Sequence, residues 1–241
     1  MKFLFPLLFL FAFVANSQQL SVERIWKSSE FAAKGVQGFT SLNDGEHFTR
    51  IVRNQDGTSS LMRYSFKDFK GKGEELVNLS TIAYNGQKLS IDDASLSKSG
   101  NNLLLSTNTS SIYRYSFKTI YFVYNLQTKK TVQLFSNDTP QTLATFSPDE
   151  SQIAFVAGNN LYNYTFNTGE TTQLTFDGAQ NNIINGTTDW VYEEEFAITQ
   201  GFAWSPDSKY IAFLKFDESA VKEFSMAMYG ELYPENYTFK Y

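Results

Sequence analysis

The 241-residue chain contains no cysteine and a single histidine, His47. Disulfides are therefore excluded, as are thiolate metal sites, and one imidazole leaves little from which to build a zinc centre. No cofactor is expected. Acidic side chains outnumber basic ones, 25 to 20, which argues against nucleic acid, whose recognition needs a basic patch. Long apolar runs are missing beyond the N-terminus. The run from Phe3 to Val14, preceded by Lys2 and followed by the small residues Ala15 and Ser17, is too short to span a bilayer comfortably and reads as a cleavable secretory signal. Residues 1–17 are thus expected to be removed, leaving a chain without a membrane span. The absence of cysteine and the short signal together favour a bacterial periplasmic or secreted protein. The sequons at Asn78, Asn108, Asn137, Asn163, Asn185 and Asn236 are of a kind that also arises by chance in a chain rich in Asn and Thr.

What the chain has in abundance is aromatic residues, 17% of the total, in short alternating runs of the kind that bury one face of a strand. In "SQIAFVAGNNLYNYTFNTGETTQLTF" the apolar positions Ile153, Phe155, Leu161, Tyr162, Tyr164, Phe166, Leu174 and Phe176 are broken by Gly158-Asn159-Asn160 and Asn167-Thr168-Gly169. Gly and Asn tolerate the positive φ of hairpin turns, so three antiparallel strands are predicted there.

A phrase repeats along the chain. "FSPDESQIAFV" from Phe146 and "WSPDSKYIAFL" from Trp204 are near copies, with degenerate versions in "LSKSGNNLLLS" from Leu96 and "LNDGEHFTRIV" from Leu42. Asp44, Ser99, Asp149 and Asp207 occupy equivalent places, at intervals of about 50 to 60 residues, a period that fits propeller blades. A blade cannot cover both faces of its own sheet and must stack on neighbours. The expected fold is all-β, with about four blades of a larger β-propeller over residues 35–241, after an N-terminal segment at 18–34. "ELYPENYTFKY" at the C-terminus still reads as strand, so the chain is expected to be the first part of a longer protein.

Two intervals carry more than blade rhythm demands. "TNTSSIYRYSFKTIYFVYNL" holds Arg114 between Tyr113 and Tyr115 in a strand-like setting, and "TTDWVYEEEF" sets three glutamates beside Trp190 and Tyr192. As a short helical turn begun by Asp189, the second segment would spread successive side chains by about 100°. Two neighbouring carboxylates could then bracket one cation, with Trp190 and Tyr192 anchoring the turn. A primary ammonium suits such a pair, having three donors for acceptor-only partners. A solvated acidic helix end is the plainer alternative for Glu193, Glu194 and Glu195.

"DWVYEEEF" followed by "WSPD", with "YRYSFKTIYFVYNL" upstream, resembles the N-terminal β-propeller of the dipeptidyl peptidase IV family of prolyl oligopeptidase-type serine peptidases, over about Leu42 to Tyr241. The resemblance implies an eight-bladed propeller capping a C-terminal α/β-hydrolase domain, and release of Xaa-Pro or Xaa-Ala dipeptides from free peptide N-termini. It implies that Glu194 and Glu195 hold the substrate α-ammonium, that Arg114 contacts a substrate carbonyl and the acidic pair, and that Glu193 is structural. The segment 18–34 would pack beside the hydrolase domain, and a homodimer is among the partners expected. A prolyl tripeptidyl peptidase or a non-enzymatic TolB-like binding propeller are the alternatives. No G-x-S-x-G nucleophile elbow occurs in the chain, so these residues alone are expected to lack peptidase activity, and His47 reads as a surface residue.

Overall fold

The computed structural model describes residues 20–33, 38–68, 71–135 and 138–241. The expected signal at 1–17, the sequon at Asn137 and part of the boundary near residue 35 lie outside them. The chain divides into two units, Met1–Gln37 and Gly38–Tyr241. In the first, a short helix α1 (Val22–Trp26) starts at Ser21, whose hydroxyl accepts from the amide of Arg24. It buries none of its residues, and Arg24 pairs with Glu30.

The second unit is built of antiparallel strands in chain order. β1 (Phe39–Ser41), β2 (His47–Arg53), β3 (Ser59–Ser65) and β4 (Glu74–Asn78) form one meander. A 3₁₀ turn at Leu79–Thr81 and the small hairpin β5 (Ala83–Tyr84) and β6 (Gln87–Lys88) lead to a second: β7 (Ile91–Leu96), β8 (Asn102–Ser111), β9 (Phe117–Asn125) and β10 (Thr131–Gln133). The third is β11 (Thr142–Phe146), β12 (Gln152–Ala157), β13 (Asn160–Thr165) and β14 (Glu170–Gln173). The fourth group differs. β15 (Ile183–Asn185) leads to the helix α2 (Trp190–Phe196), then come β16 (Phe202–Trp204), β17 (Ile211–Phe213) and β18 (Lys215–Asp217), with β15 on β18 and β16 on β17. A hairpin of β19 (Glu223–Met228) and β20 (Glu235–Lys240) follows.

The repeated phrase is the first hairpin of each four-stranded meander and the β16–β17 hairpin of the fourth group. Asp44, Ser99, Asp149 and Asp207 occupy the β1–β2, β7–β8, β11–β12 and β16–β17 turns. The Asp149 carboxylate accepts from the Ser147 hydroxyl and the Ser151 amide, and that of Asp207 from Ser205 and the Lys209 amide. These are the local bonds by which an Asx residue fixes a turn. The turns also tie neighbours together. Ser99 gives its amide and hydroxyl to Glu150, and the Asp149 amide donates to the hydroxyl of Ser208.

Strand alternation explains the stacking. On β9, Ile120, Phe122 and Tyr124 pack with Leu61 and Val77 of the first sheet, whereas Tyr121 and Val123 pack with Ile153 and Phe155 of the third. On β12, Ala154 and Val156 turn the other way, joining Leu161 and Phe202 toward the fourth group. With a side-chain period of two, every inner strand supplies two interfaces. The β12–β13 turn uses Gly158 and Asn159 at φ 54° and 61° as predicted. The third strand predicted there stops early: Leu174 lies past β14, and Phe176 is exposed.

Candidate substrate-binding site

Asp189 starts α2 from an extended backbone, φ −74° and ψ 173°, and its carboxylate accepts from the Tyr192 amide at 2.9 Å. This N-cap satisfies one of the amides left without a partner in the first turn. The helix ends at Ala197, which adopts the left-handed conformation at φ 54° and donates to the Glu193 carbonyl. Trp190 packs on Phe239 and Tyr241, with ring centroids 5.3 and 5.1 Å away, and Tyr192 meets Phe216 of β18 edge-on at 5.1 Å. Both aromatics therefore anchor the helix, as their flanking positions suggest.

The three glutamates separate by direction, as the helical pitch requires. Glu193 turns inward and is 3% exposed; one of its carboxylate oxygens, Oε1, accepts the amides of Tyr115 and Ser116, both at 2.8 Å. Glu194 is half-buried, and its Oε2 lies 3.1 Å from Nε of Arg114. Glu195 is exposed and accepts no hydrogen bond among the described residues. The expected contact of Arg114 with an acidic pair is thus made to Glu194.

The setting of Arg114 departs from the strand-like expectation. The β8–β9 ladder ends at Ser111 opposite Phe117, and residues 112–116 form its tip, closed by the Ile112 amide on the Ser116 carbonyl at 2.9 Å. Serine hydroxyls here compete for the backbone: Ser116 Oγ accepts from the Tyr113 amide. Arg114 consequently projects from a tight loop, with its side chain 67% exposed. Glu193 holds the two residues that follow it, so the helix and the hairpin tip form one tied unit across 77 and 78 positions of sequence.

A cavity of about 410 Å³ lies beside this unit, lined by Tyr113, Ser116, Asp189, Trp190, Glu193 and Glu218 among others. Glu194 and Glu195 are not among the residues that line it. The step of about 100° between helical neighbours separates Glu193, on the cavity wall, from the two residues that follow it. Burial raises the Tyr113 hydroxyl well above the ordinary tyrosine range, reinforced by its bond to Tyr237. Tyr113, Glu218 and Lys240 were not legible as cavity residues, since nothing local marks them in sequence. His47 opens β2 and its Nδ1 lies 2.7 Å from Oδ2 of Asp44, a turn partner in the first blade.

Residues 97–241, which include the hairpin tip, α2 and every strand from β8 onward, match the family described as the dipeptidyl peptidase IV (DPP IV) N-terminal region. The chain belongs to the dipeptidyl peptidase IV family. Dipeptidyl peptidase 4 of Porphyromonas gingivalis, a crystal structure, superposes with a TM-score of 0.81 at 36% identity, covering 93% of this chain and 31% of that one. Dipeptidyl aminopeptidase B of Saccharomyces cerevisiae is 36% identical over 166 residues, 67% of this chain and 20% of its own length. The mouse prolyl endopeptidase FAP is 33% identical over 151 residues, 62% of this chain and 20% of its own. The chain thus spans about a fifth of the curated relatives it matches, and its stacked sheets are the N-terminal propeller region of a DPP IV-like peptidase.

Proposed function

We propose that this propeller region selects substrates for a serine exopeptidase that releases dipeptides, Xaa-Pro or Xaa-Ala, from peptide N-termini. The catalytic serine belongs, in this reading, to an α/β-hydrolase domain outside these 241 residues. The observation that carries the reading is the Arg114–Glu194 contact at 3.1 Å beside an uncommitted Glu195. The guanidinium offsets repulsion between adjacent carboxylates, and Glu195 retains its full acceptor capacity for an arriving ammonium. A guanidinium has five N–H donors, more than its contact with Glu194 at Nε uses, so Arg114 can also serve a substrate carbonyl. An internal peptide segment or an acetylated N-terminus offers no charge here and leaves the acidic groups uncompensated.

The test uses the protein expressed from its complete reading frame. Glu194→Ala and Glu195→Ala each lower kcat/KM on Xaa-Pro peptides by about 100-fold, the cost of a charge-assisted hydrogen bond to the ammonium. Because the substrate α-amino group loses its proton at about pH 7.7 to 8.0, substrate binding weakens above that range. Wild-type turnover in both variants would overturn the assignment, and mass spectrometry of the product identifies dipeptide or tripeptide release.

A further inference from the structure

The cavity beside α2 has five charged residues on its wall: Lys118, Asp189, Glu193, Glu218 and Lys240. Three of the five make side-chain bonds to the protein, and the Lys118 ammonium makes none among the described residues. Asp189 caps the helix at the Tyr192 amide, and Glu193 holds the amides of Tyr115 and Ser116. The Lys240 ammonium donates to the Val221 carbonyl at 2.7 Å and lies 3.9 Å from Glu223, with no ion pair to Glu218. Glu218 is different. It follows β18, its amide fixed on the Asn182 carbonyl and its own carbonyl accepting from Val221. It is 9% exposed, yet its carboxylate accepts no hydrogen bond among the described residues.

The residue is largely withdrawn from solvent, but its carboxylate oxygens keep some accessible surface and have no donor from the protein, so an N–H donor that enters the cavity meets free acceptors. Burial raises the Glu218 carboxyl above its ordinary range, Asp189 adds to the rise, and Lys240 opposes it. The wall carries one more negative than positive group, so a guest with positive charge is favoured over an anion. No three His, Cys, Asp or Glu side chains among the described residues are grouped to hold a metal ion, which favours a cation that brings its own N–H donors. About 410 Å³ accommodates such a group with its aliphatic stem.

We propose that this cavity binds an organic cation bearing N–H donors, a primary ammonium or a guanidinium, through the carboxylate of Glu218. The site is distinct from the one proposed for the substrate N-terminus and does not depend on it. A free amine and the basic side chain of a peptide present the same chemistry, and the choice of probes separates them.

The experiment is isothermal titration of the full-length protein with n-propylammonium, ethylguanidinium, and the N-acetyl N-methylamides of lysine and arginine, whose α-amino groups are blocked. With the acidic pair removed by Glu194→Ala and Glu195→Ala together, saturable 1:1 binding is expected, and it weakens about tenfold or more when Glu218→Gln is added. Tetramethylammonium, with charge but no N–H, is expected not to bind. Binding of the amides alone assigns the cavity to a peptide side chain; binding of the small cations as well assigns it to free amines too. Glu218→Gln preserves shape and removes a buried charge, so its urea midpoint is expected to equal or exceed wild type, which keeps the comparison clean. Absence of saturable binding by every probe, equal binding by the Gln variant, or equal binding of tetramethylammonium each overturns the proposal.

Discussion

At the scale of the residue, Glu193 shows how one carboxylate can set the position of a group it never touches. Its Oε1 receives both the Tyr115 and the Ser116 amide, so the backbone that follows Arg114 is held from the helix side. Glu193→Gln keeps a carbonyl oxygen in that place, whereas Glu193→Ala leaves two amides without an acceptor. Hydrogen exchange at Tyr115 and Ser116 is therefore expected to accelerate strongly in the Ala variant and little in the Gln variant. Equal protection in all three proteins would mean that the tip is held by other bonds. The sequence discloses such a role only in part. The run of three glutamates is visible, and helical pitch says that the three diverge. Which one turns inward depends on where the hairpin tip lies, and that tip is about 77 residues distant.

At the scale of the element, α2 was well marked: Asp189 before an aromatic-rich turn is a recognisable N-cap, and the helix begins at the next residue. Its end was not marked. Ala197 takes φ 54°, a conformation glycine reaches without penalty and alanine does not. Ala197→Gly is expected to raise stability by up to about 1 kcal/mol, read as a higher urea midpoint at unchanged slope. A lowered midpoint would show that the Ala197 methyl packs usefully. The Arg114 segment misled for a related reason. Alternation of Tyr, Arg and Tyr fits a strand, but the β8–β9 ladder consumes its partners by Ser111 and Phe117, and the residues between have only turn geometry left to them.

At the scale of the whole molecule, the period of the repeat was legible because each copy fixes the same hairpin, and the stacking followed from strand alternation. The acidic turns have a measurable signature. Local hydrogen bonds from the Glu46 amide, the His47 ring and the His47 amide hold Asp44 down at about 2, and hydroxyl and amide donors hold Asp149 and Asp207 below the ordinary carboxylate range. An unfolded Asp titrates near about 3.9, so these groups stabilise the fold fully above that pH. The contribution of Asp44 is lost as pH falls toward about 2, and those of Asp149 and Asp207 are lost as pH falls through their own lowered ranges. Asp149→Asn is expected to lower the Tm at pH 7 and to narrow the difference between pH 7 and strongly acidic solution. An unaltered pH dependence would remove Asp149 from the acid limb. Phe155, fully buried between the second and third sheets and stacked on Tyr162 at 5.5 Å, is the counterpart in the core. Phe155→Ala is expected to cost about 3 to 5 kcal/mol by urea denaturation, and a loss under about 1 kcal/mol would show that the interface is loosely filled.

The bond between Glu193 and the hairpin tip also has a consequence in time. Arg114 leaves the ribosome long before the carboxylate that steadies its loop, and three sheets can pair and stack in that interval using only residues already made. A nascent chain halted short of α2 would thus have most of its architecture and lack the two bonds that hold the loop after Arg114. The Arg114 loop is fixed only once translation has supplied a helix of seven residues.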